Sequence, residues 1–510
     1  MLQAALAVPP VQRWAKVIDH TRCIGCHACS TACKSENGVP LSVHRTYVKY
    51  VEVGSFPQAR RAFQVTRCNQ CEDAPCTIAC PTAAMYRRSD GIVDFDKRAC
   101  IGCKACIAAC PYDAIFINPE DHSAEKCNFC AHRLDVGLEP ACVVVCPTDA
   151  LLVGDLADAG SRLAEEVQRG VVTVRRPEKH TGPKVFYKGA HQATLDPLAA
   201  TRPPGGLFMW SEQGAGPQLV VSGHPGQGNA AVPALLAYDV PHRAPWDWRV
   251  SLYTWTKGIA AGAYLVPMLL LATGSLDASS ALWQWIGPLL AVLFLGVTGL
   301  VLIADLEHPA RIHLIVTRPQ WRSWLVRGAL LIAGFSAVLA AHLAGWWFGR
   351  PGLVSAAAAA GLPLAVMTAV YTAYLFAQAR ARDLWQSPLL PPQLLVQAAV
   401  AGSAALVPVA TWRMPQTVTP LLDVLAVSAL VHLLLVAAEA TQAHPTAHAQ
   451  LAVREMTRGR YAPAFLFGVV LMLPVLSAPW IGAAVVPLAL VGLLAHEHAH
   501  VQAAQSVPLA

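Results

Sequence analysis

All sixteen cysteines of this 510-residue chain fall between Cys23 and Cys146, and none follows. Thiols packed this densely belong to one local structure rather than to scattered core positions. Disulfides are one reading of such a cluster. Nothing at the N-terminus, however, combines a basic start, an apolar run of adequate length and a small-residue cleavage site. The segment is therefore expected to stay in the reducing cytosol, where thiolate ligands are favoured over disulfides.

The cysteines divide into four quartets with none spare: Cys23, Cys26, Cys29 and Cys33; Cys68, Cys71, Cys76 and Cys80; Cys100, Cys103, Cys106 and Cys110; Cys127, Cys130, Cys142 and Cys146. The first and third have the C-x2-C-x2-C-x3-C spacing that binds 4Fe-4S clusters, and in the last three quartets proline directly follows the final cysteine. Three cysteines on one loop can wrap three irons of a cubane, while the fourth points to a neighbouring cluster, so such quartets work in pairs. A closed zinc site uses two C-x2-C pairs separated by a longer loop, which dense quartets ending in Cys-Pro do not match. Short hairpins such as residues 91–95 (GIVDF), with short helices expected after each Cys-Pro, fit an α+β ferredoxin plan.

Together with residues 126–133 (KCNFCAHR), 140–147 (PACVVVCP) and 185–189 (VFYKG), the quartets resemble the iron-sulfur subunit of the dimethyl sulfoxide reductase family. The resemblance covers residues 15 to about 190. It implies nested pairing, in which one cluster takes Cys23, Cys26, Cys29 and Cys146 and its lobe partner takes Cys127, Cys130, Cys142 and Cys33. The inner lobe would use Cys68, Cys71, Cys76 and Cys110 for one cluster, and Cys100, Cys103, Cys106 and Cys80 for the other. Every ligand position is cysteine, which predicts four 4Fe-4S clusters and no three-iron cluster.

With 55% hydrophobic and only 14% charged residues, the chain is apolar for a wholly soluble protein. Residues 191–245 are rich in Pro and Gly, show no sustained period and read as a linker, with residues 207–210 (LFMW) as a buried loop patch. Eight apolar stretches follow, near residues 248–271, 283–304, 324–346, 353–377, 392–411, 419–439, 462–477 and 479–495. Several reach the roughly 20 residues that cross a bilayer core, and Trp246, Trp248, Trp283, Trp324, Trp346 and Trp480 stand at interface positions. Arg311, Arg318 and Arg322, then Arg380 and Arg382, then Arg454, Arg458 and Arg460 occupy alternate connections, whereas the others hold only Arg350 and Arg413. By the positive-inside rule the iron-sulfur domain and the C-terminus are cytoplasmic, in a multi-pass protein of the bacterial inner membrane. The same asymmetry accounts for the net charge of +6 without nucleic-acid binding.

Residues 248–265 (WRVSLYTWTKGIAAGAYL), 304–328 (ADLEHPARIHLIVTRPQWRSWLVRG) and 384–406 (LWQSPLLPPQLLVQAAVAGSAAL) are similar to the NrfD, or polysulfide-reductase, type of quinone-reactive membrane subunit. Lys257 is the only lysine after Lys188 and lies roughly 14 Å along its helix from Trp248. An ionisable group at that depth is a functional candidate by default. Its structural alternatives are snorkelling or a pair with Asp305 or Glu439. Asp305, Glu307, His308, Arg311 and His313 crowd the end of the second span, where Pro309 breaks the helix. A quinone site built from Lys257, Asp305, His308 and Arg311 is expected there, taking menaquinone or ubiquinone. His342 and His432 lie at different depths rather than as paired axial ligands, so no haem is expected. His496, His498 and His500 are read as part of a solvated tail rather than a metal-binding tract.

The sequence thus predicts a multidomain chain: an α+β double-ferredoxin iron-sulfur domain (1–190), a linker (191–245), an all-α polytopic membrane domain of about eight helices (246–498) and a tail (499–510). No molybdopterin domain, flavin fingerprint or P-loop is visible, so substrate chemistry is assigned to a partner. The resemblances imply a molybdopterin-containing catalytic subunit with its own 4Fe-4S cluster, sulfite being the first-choice substrate and formate or another oxyanion the alternatives. The chain itself would transfer electrons between that subunit and the quinone pool. A redox-driven proton translocator and a passive anchor are the competing readings. Purified protein is expected to bind about sixteen irons and to show coupled paramagnetic clusters on reduction. Saturation at half that iron, or stoichiometric zinc, would contradict the four-quartet reading.

Overall fold

The computed structural model describes residues 12–201 and 234–510; the patch at 207–210 lies outside the described residues. Two compact units result, Met1–Arg243 with Val507–Ala510, and Ala244–Ser506.

The first unit is mixed α/β. Its strands are β1 (Trp14–Asp19), β2 (Thr46–Val53), β3 (Arg60–Arg67), β4 (Met85–Arg87), β5 (Val93–Phe95), β6 (Ile115–Ile117), β7 (Ala124–Lys126), β8 (Leu151–Asp155), β9 (Val172–Thr173), β10 (Val185–Lys188) and β11 (Ala234–Tyr238). One sheet has the order β8-β1-β10-β9, a second β11-β2-β3, and β4-β5 and β6-β7 are short hairpins. The β5 hairpin is the one expected from GIVDF. The helices Ala28–Asn37, Pro75–Ala79, Ala105–Ala109 and Ala141–Val144 carry Cys29 and Cys33, Cys76, Cys106 and Cys142. They do not follow the Cys-Pro pairs, as the sequence reading has it, but precede them: Cys80 and Cys110 are the C-terminal caps of their helices. Proline has no N–H to donate and commonly follows a helix end, which explains the order.

The linker is partly structured, because β11 extends the β2-β3 sheet through antiparallel pairing with β2. Just after β11, the His242 ring is held from both sides, Nδ1 by Asp113 at 2.5 Å and Nε2 by Asp239 at 3.1 Å. Burial alone would push this imidazole down, but the two carboxylates outweigh it and hold it up to about 10.

The second unit is helical. We label its long helices α1 (Trp248–Ala272), α2 (Gly287–Ala304), α3 (Trp324–Trp347), α4 (Pro351–Ala377), α5 (Leu390–Arg413), α6 (Val418–Thr441), α7 (Ala462–Met472) and α8 (Val486–Gln505). Seven helical stretches are long and apolar enough to cross a membrane. The seventh, Ala462–Gln505, bends back so that α7 and α8 pack side by side, with Gly468 against Gly492 and His496. It accounts for the last two apolar stretches of the sequence. Helices α1 to α4 pack together, as do α5 to α8, and α1 crosses α5 between the two groups. That crossing is a contact of backbones: a Cβ on Gly262 would overlap the Ala398 carbonyl, and one on Gly402 would overlap Gly262. Small residues permit such an approach, and dispersion then holds the helices where lipid supplies no hydrophobic drive. The last helix runs ten residues beyond the sequence estimate. Residues 499–505 therefore belong to α8 rather than to a tail, and Arg175 and Lys49 of the first unit donate to the Leu509 and Ala510 carbonyls.

The His242 pair predicts a pH signature. The folded group binds its proton more tightly than an unfolded histidine near 6.5, so its stabilisation is complete below about pH 6.5 and is lost as pH rises towards about 10. A His242→Phe chain should show a lower apparent Tm than the parent at pH 6.5, and the gap should close near pH 10. A gap independent of pH would show that the ring acts by packing alone.

Candidate functional site

None of the sixteen cysteines is joined in a disulfide. The loops Cys23–Cys29 and Cys100–Cys106 share one backbone design: Gly25 and Gly102 have φ of 71° and 70°, and His27 and Lys104 have φ of 60° and 62°. These left-handed turns let each short loop bring its cysteines to a common centre. Cys23, Cys26 and Cys29 line one cavity with Cys146, and Cys100, Cys103 and Cys106 line another with Cys80. Cys33 interacts electrostatically with Cys127, Cys130 and Cys142, and Cys76 with Cys68, Cys71 and Cys110. Backbone amides of Met85, Ala150, Ala124 and Gln70 donate to the sulfurs of Cys80, Cys146, Cys100 and Cys68 at 3.3 to 3.5 Å. Among the described residues no group of three or more His, Cys, Asp or Glu side chains converges on a single-ion site. The thiols stand around cavities instead, an arrangement that suits a multi-iron cluster better than one zinc ion.

Two buried cations serve this arrangement, and the sequence reading missed both. Lys16 projects from β1 and Arg67 from the end of β3; each is 1% exposed, and each donates to the Cys142 sulfur, at 3.3 and 3.2 Å. Burial pushes the Cys142 thiol up, but the two cations reverse this and bring it down to about 6. Its neighbours behave differently, since burial raises Cys29 to about 11 and lifts Cys33 further. The alternation of β1 (WAKVID) was the available signal, because a lysine between inward-facing apolar residues is out of place on a strand buried on both sides.

In the membrane unit, Lys257 is 1% exposed and donates from Nζ to the Ala369 carbonyl and the Thr372 hydroxyl, both at 2.7 Å, beneath the Tyr371 ring. It is therefore neither snorkelling nor paired with Asp305 or Glu439; the carboxylate that acts on it belongs to Glu497. Asp305 sits at the C-terminal end of α2, 4.0 Å from Arg249, with His308 and Arg311 half-buried just beyond. Arg249, Tyr253 and Lys257 follow each other at four-residue spacing on α1, so Lys257 lies roughly 12 Å deeper than Arg249. Tyr253, between them, is buried with its hydroxyl beside the Thr372 side chain. The structure thus separates Lys257 from the Asp305 group by depth and places Tyr253 between their levels. His496 and His500 are buried on α8, not solvated; hydropathy ends the span at residue 495 and so leaves the HEHAH tract outside a helix that contains it.

Residues 239–496 match the family described as polysulphide reductase, NrfD, which is half of the chain. This protein belongs to the NrfD polysulphide reductase family. It is an NrfD protein with an iron-sulfur unit on the same chain, for residues 60–156 match the 4Fe-4S dicluster domain family. The first unit is similar to a tetrathionate reductase subunit of Salmonella typhimurium, 42% identical over 211 residues that cover 40% of this chain and 82% of the relative. It is also similar to a polysulfide reductase component of Wolinella succinogenes, 44% identical over 34% of this chain and 93% of the relative. The thiosulfate reductase electron transfer subunit PhsB of Salmonella typhi is 45% identical over 34% of this chain and 92% of the relative.

In this NrfD-family protein, positive charge beside a ligand sulfur stabilises the more negative, reduced state of a cluster. Arg67→Gln should therefore lower the midpoint potential of one cluster class in a paramagnetic-resonance redox titration and leave the others in place. Unchanged potentials throughout would show that the guanidinium only fills space.

Proposed function

We propose that this chain passes electrons between a molybdopterin catalytic subunit and the quinone pool and anchors that subunit to the membrane. The observation that carries the reading is the union, in one chain, of four groups of four cysteines with an NrfD-type helical unit holding a buried lysine. Four 4Fe-4S clusters would be held by Cys23, Cys26, Cys29 and Cys146; by Cys127, Cys130, Cys142 and Cys33; by Cys68, Cys71, Cys76 and Cys110; and by Cys100, Cys103, Cys106 and Cys80. The cavities lined by Cys146 and by Cys80, and the neighbour sets of Cys33 and Cys76, support this assignment. Such clusters supply one-electron transfer over short steps. The protein's part is to hold the thiolates, to exclude water and to set the charge around each sulfur.

The quinone headgroup lies between the levels of Lys257 and the Asp305, His308 and Arg311 group, with Tyr253 offering a hydroxyl beside it. Lys257 donates a hydrogen bond to one carbonyl, and the half-buried Asp305 and His308 exchange protons with the cytosol. The arginine asymmetry supports a cytoplasmic iron-sulfur unit in the bacterial inner membrane. The relatives are named for tetrathionate, polysulfide and thiosulfate reductases. A sulfur oxyanion is therefore the favoured substrate class of the partner, with sulfite first and formate behind it.

The second reading, redox-driven proton translocation, is favoured by the Tyr264 hydroxyl 3.1 Å from His342 Nδ1, two turns deeper than Lys257. An outward relay would need a further titratable group in the outer half, and Asp423, near the start of α6, stands exposed.

Replacing Lys257 with Met keeps the length and removes the charge. In the full complex, quinone turnover should fall while electron transfer to a soluble dye stays near the parental rate. A parental quinone rate would make the lysine structural and remove the main support for the site.

A further inference from the structure

Between α1, α5, α6 and α8 the membrane unit buries a run of titratable side chains. Glu439 is fully buried near the end of α6, and its Oε1 lies 3.4 Å from Nε2 of His500 on α8. His500 and Glu497, one turn apart, act on each other electrostatically, and Glu497 acts in turn on Lys257. The ends of the helices are in register, since Gln505 of α8 bonds to Trp246 just before α1, and Val436 of α6 packs with Ala499 and Ala503 of α8. Counted from those ends, Glu439 lies about 3 Å deep, His500 about 8 Å, Glu497 about 12 Å and Lys257 about 14 Å. The groups form steps of increasing depth. At the shallow end the half-buried His444, in the connection after α6, bonds through Nε2 to the Glu439 carbonyl at 2.9 Å.

Oε2 of Glu439, Nδ1 of His432 and His496, and Oε1 of Gln393 and Gln397 are buried with no hydrogen-bond partner within the protein. All five atoms belong to side chains more than nine-tenths buried, and His496 Nε2 contacts the Gln393 amide at 3.0 Å beside the His432 ring. Buried polar atoms in this density are ordinarily completed by internal water, and water between carboxylates and imidazoles conducts protons.

We propose that Glu439, His500 and Glu497, with water held by Gln393, Gln397 and His496, form a proton relay between the surface after α6 and Lys257. The proposal rests on the reading that quinone reacts beside Lys257. Quinone plus two electrons plus two protons gives quinol: both carbonyl oxygens become hydroxyls, the electrons arrive from the clusters, the relay supplies the proton on the Lys257 side, and Asp305 and His308 serve the other carbonyl. In quinol oxidation the same two routes carry one proton each outward. Because the shallow end of the run lies at the helix ends next to Trp246, the protons exchange with that face alone and do not cross the membrane.

The test uses the full complex in liposomes with a short-chain quinone. Glu497→Gln and His500→Ala should each lower quinone kcat about tenfold or more, while quinone KM and the dye rate stay within about twofold. Imidazole added to His500→Ala should restore turnover, and Glu497→Asp should keep most of it. Parental kcat in both variants overturns the relay, as does a rise in KM that matches the loss, since the residues would then hold the headgroup. Should Glu497→Gln fail to assemble, imidazole rescue of His500→Ala decides, and its absence overturns the proposal. Uptake of protons from the opposite face, read by a pH dye inside the liposomes, overturns it too. An unimpaired Lys257→Met removes the quinone-site reading itself; impaired Lys257→Met beside unimpaired relay variants removes the relay alone.

Discussion

Charge kept away from water is the constraint on which this structure depends. Thiolates crowded together in an interior repel one another and lose hydration, and both effects favour the neutral thiol. Burial accordingly lifts Cys71 and Cys110 to about 12, whereas Cys142, with Lys16 and Arg67 against its sulfur, falls to about 6. Elsewhere backbone amides of Met85, Ala150, Ala124 and Gln70 donate to sulfur, and the left-handed positions at Gly25, His27, Gly102 and Lys104 draw the cysteines of each loop together. The strands then serve as scaffolding: β1 and β3 bring their cations to one point from two separate sheets.

The membrane unit meets the same constraint in a harsher solvent. Its helices satisfy their own backbones, and the α1–α5 crossing brings them together through Gly262 and Gly402. Lys257 is tolerated one turn before that crossing because the Ala369 carbonyl and the Thr372 hydroxyl accept from it, and because Glu497 supplies the opposite charge. Oε1 of Gln393 and Gln397 and Nδ1 of His432 and His496 lack protein partners in the same unit, which is expensive in lipid unless the groups have work to do. In both units the residues out of place by polarity are the ones on which the proposed electron and proton steps rest.

The amino-acid sequence by itself determined that an iron-sulfur unit is followed by a helical membrane unit. Cysteine spacing is local, three cysteines fitting on a seven-residue loop, and apolar runs of bilayer length are equally local, so both are legible without a fold. Lys257 was legible because one lysine in a long lysine-free stretch needs no partner to be noticed. What only the tertiary structure decided is who stands beside whom. Lys16 and Cys142 are 126 residues apart, and Lys257 and Glu497 still further; no periodicity reports such a meeting. The end of α8 was lost for a related reason: the HEHAH tract reads as polar on any hydropathy scale, and only its burial against α6 and α5 makes it part of a span. Polarity along a chain is a local property, whereas the cost of a charge depends on what surrounds it, and that is fixed only when the helices and strands pack.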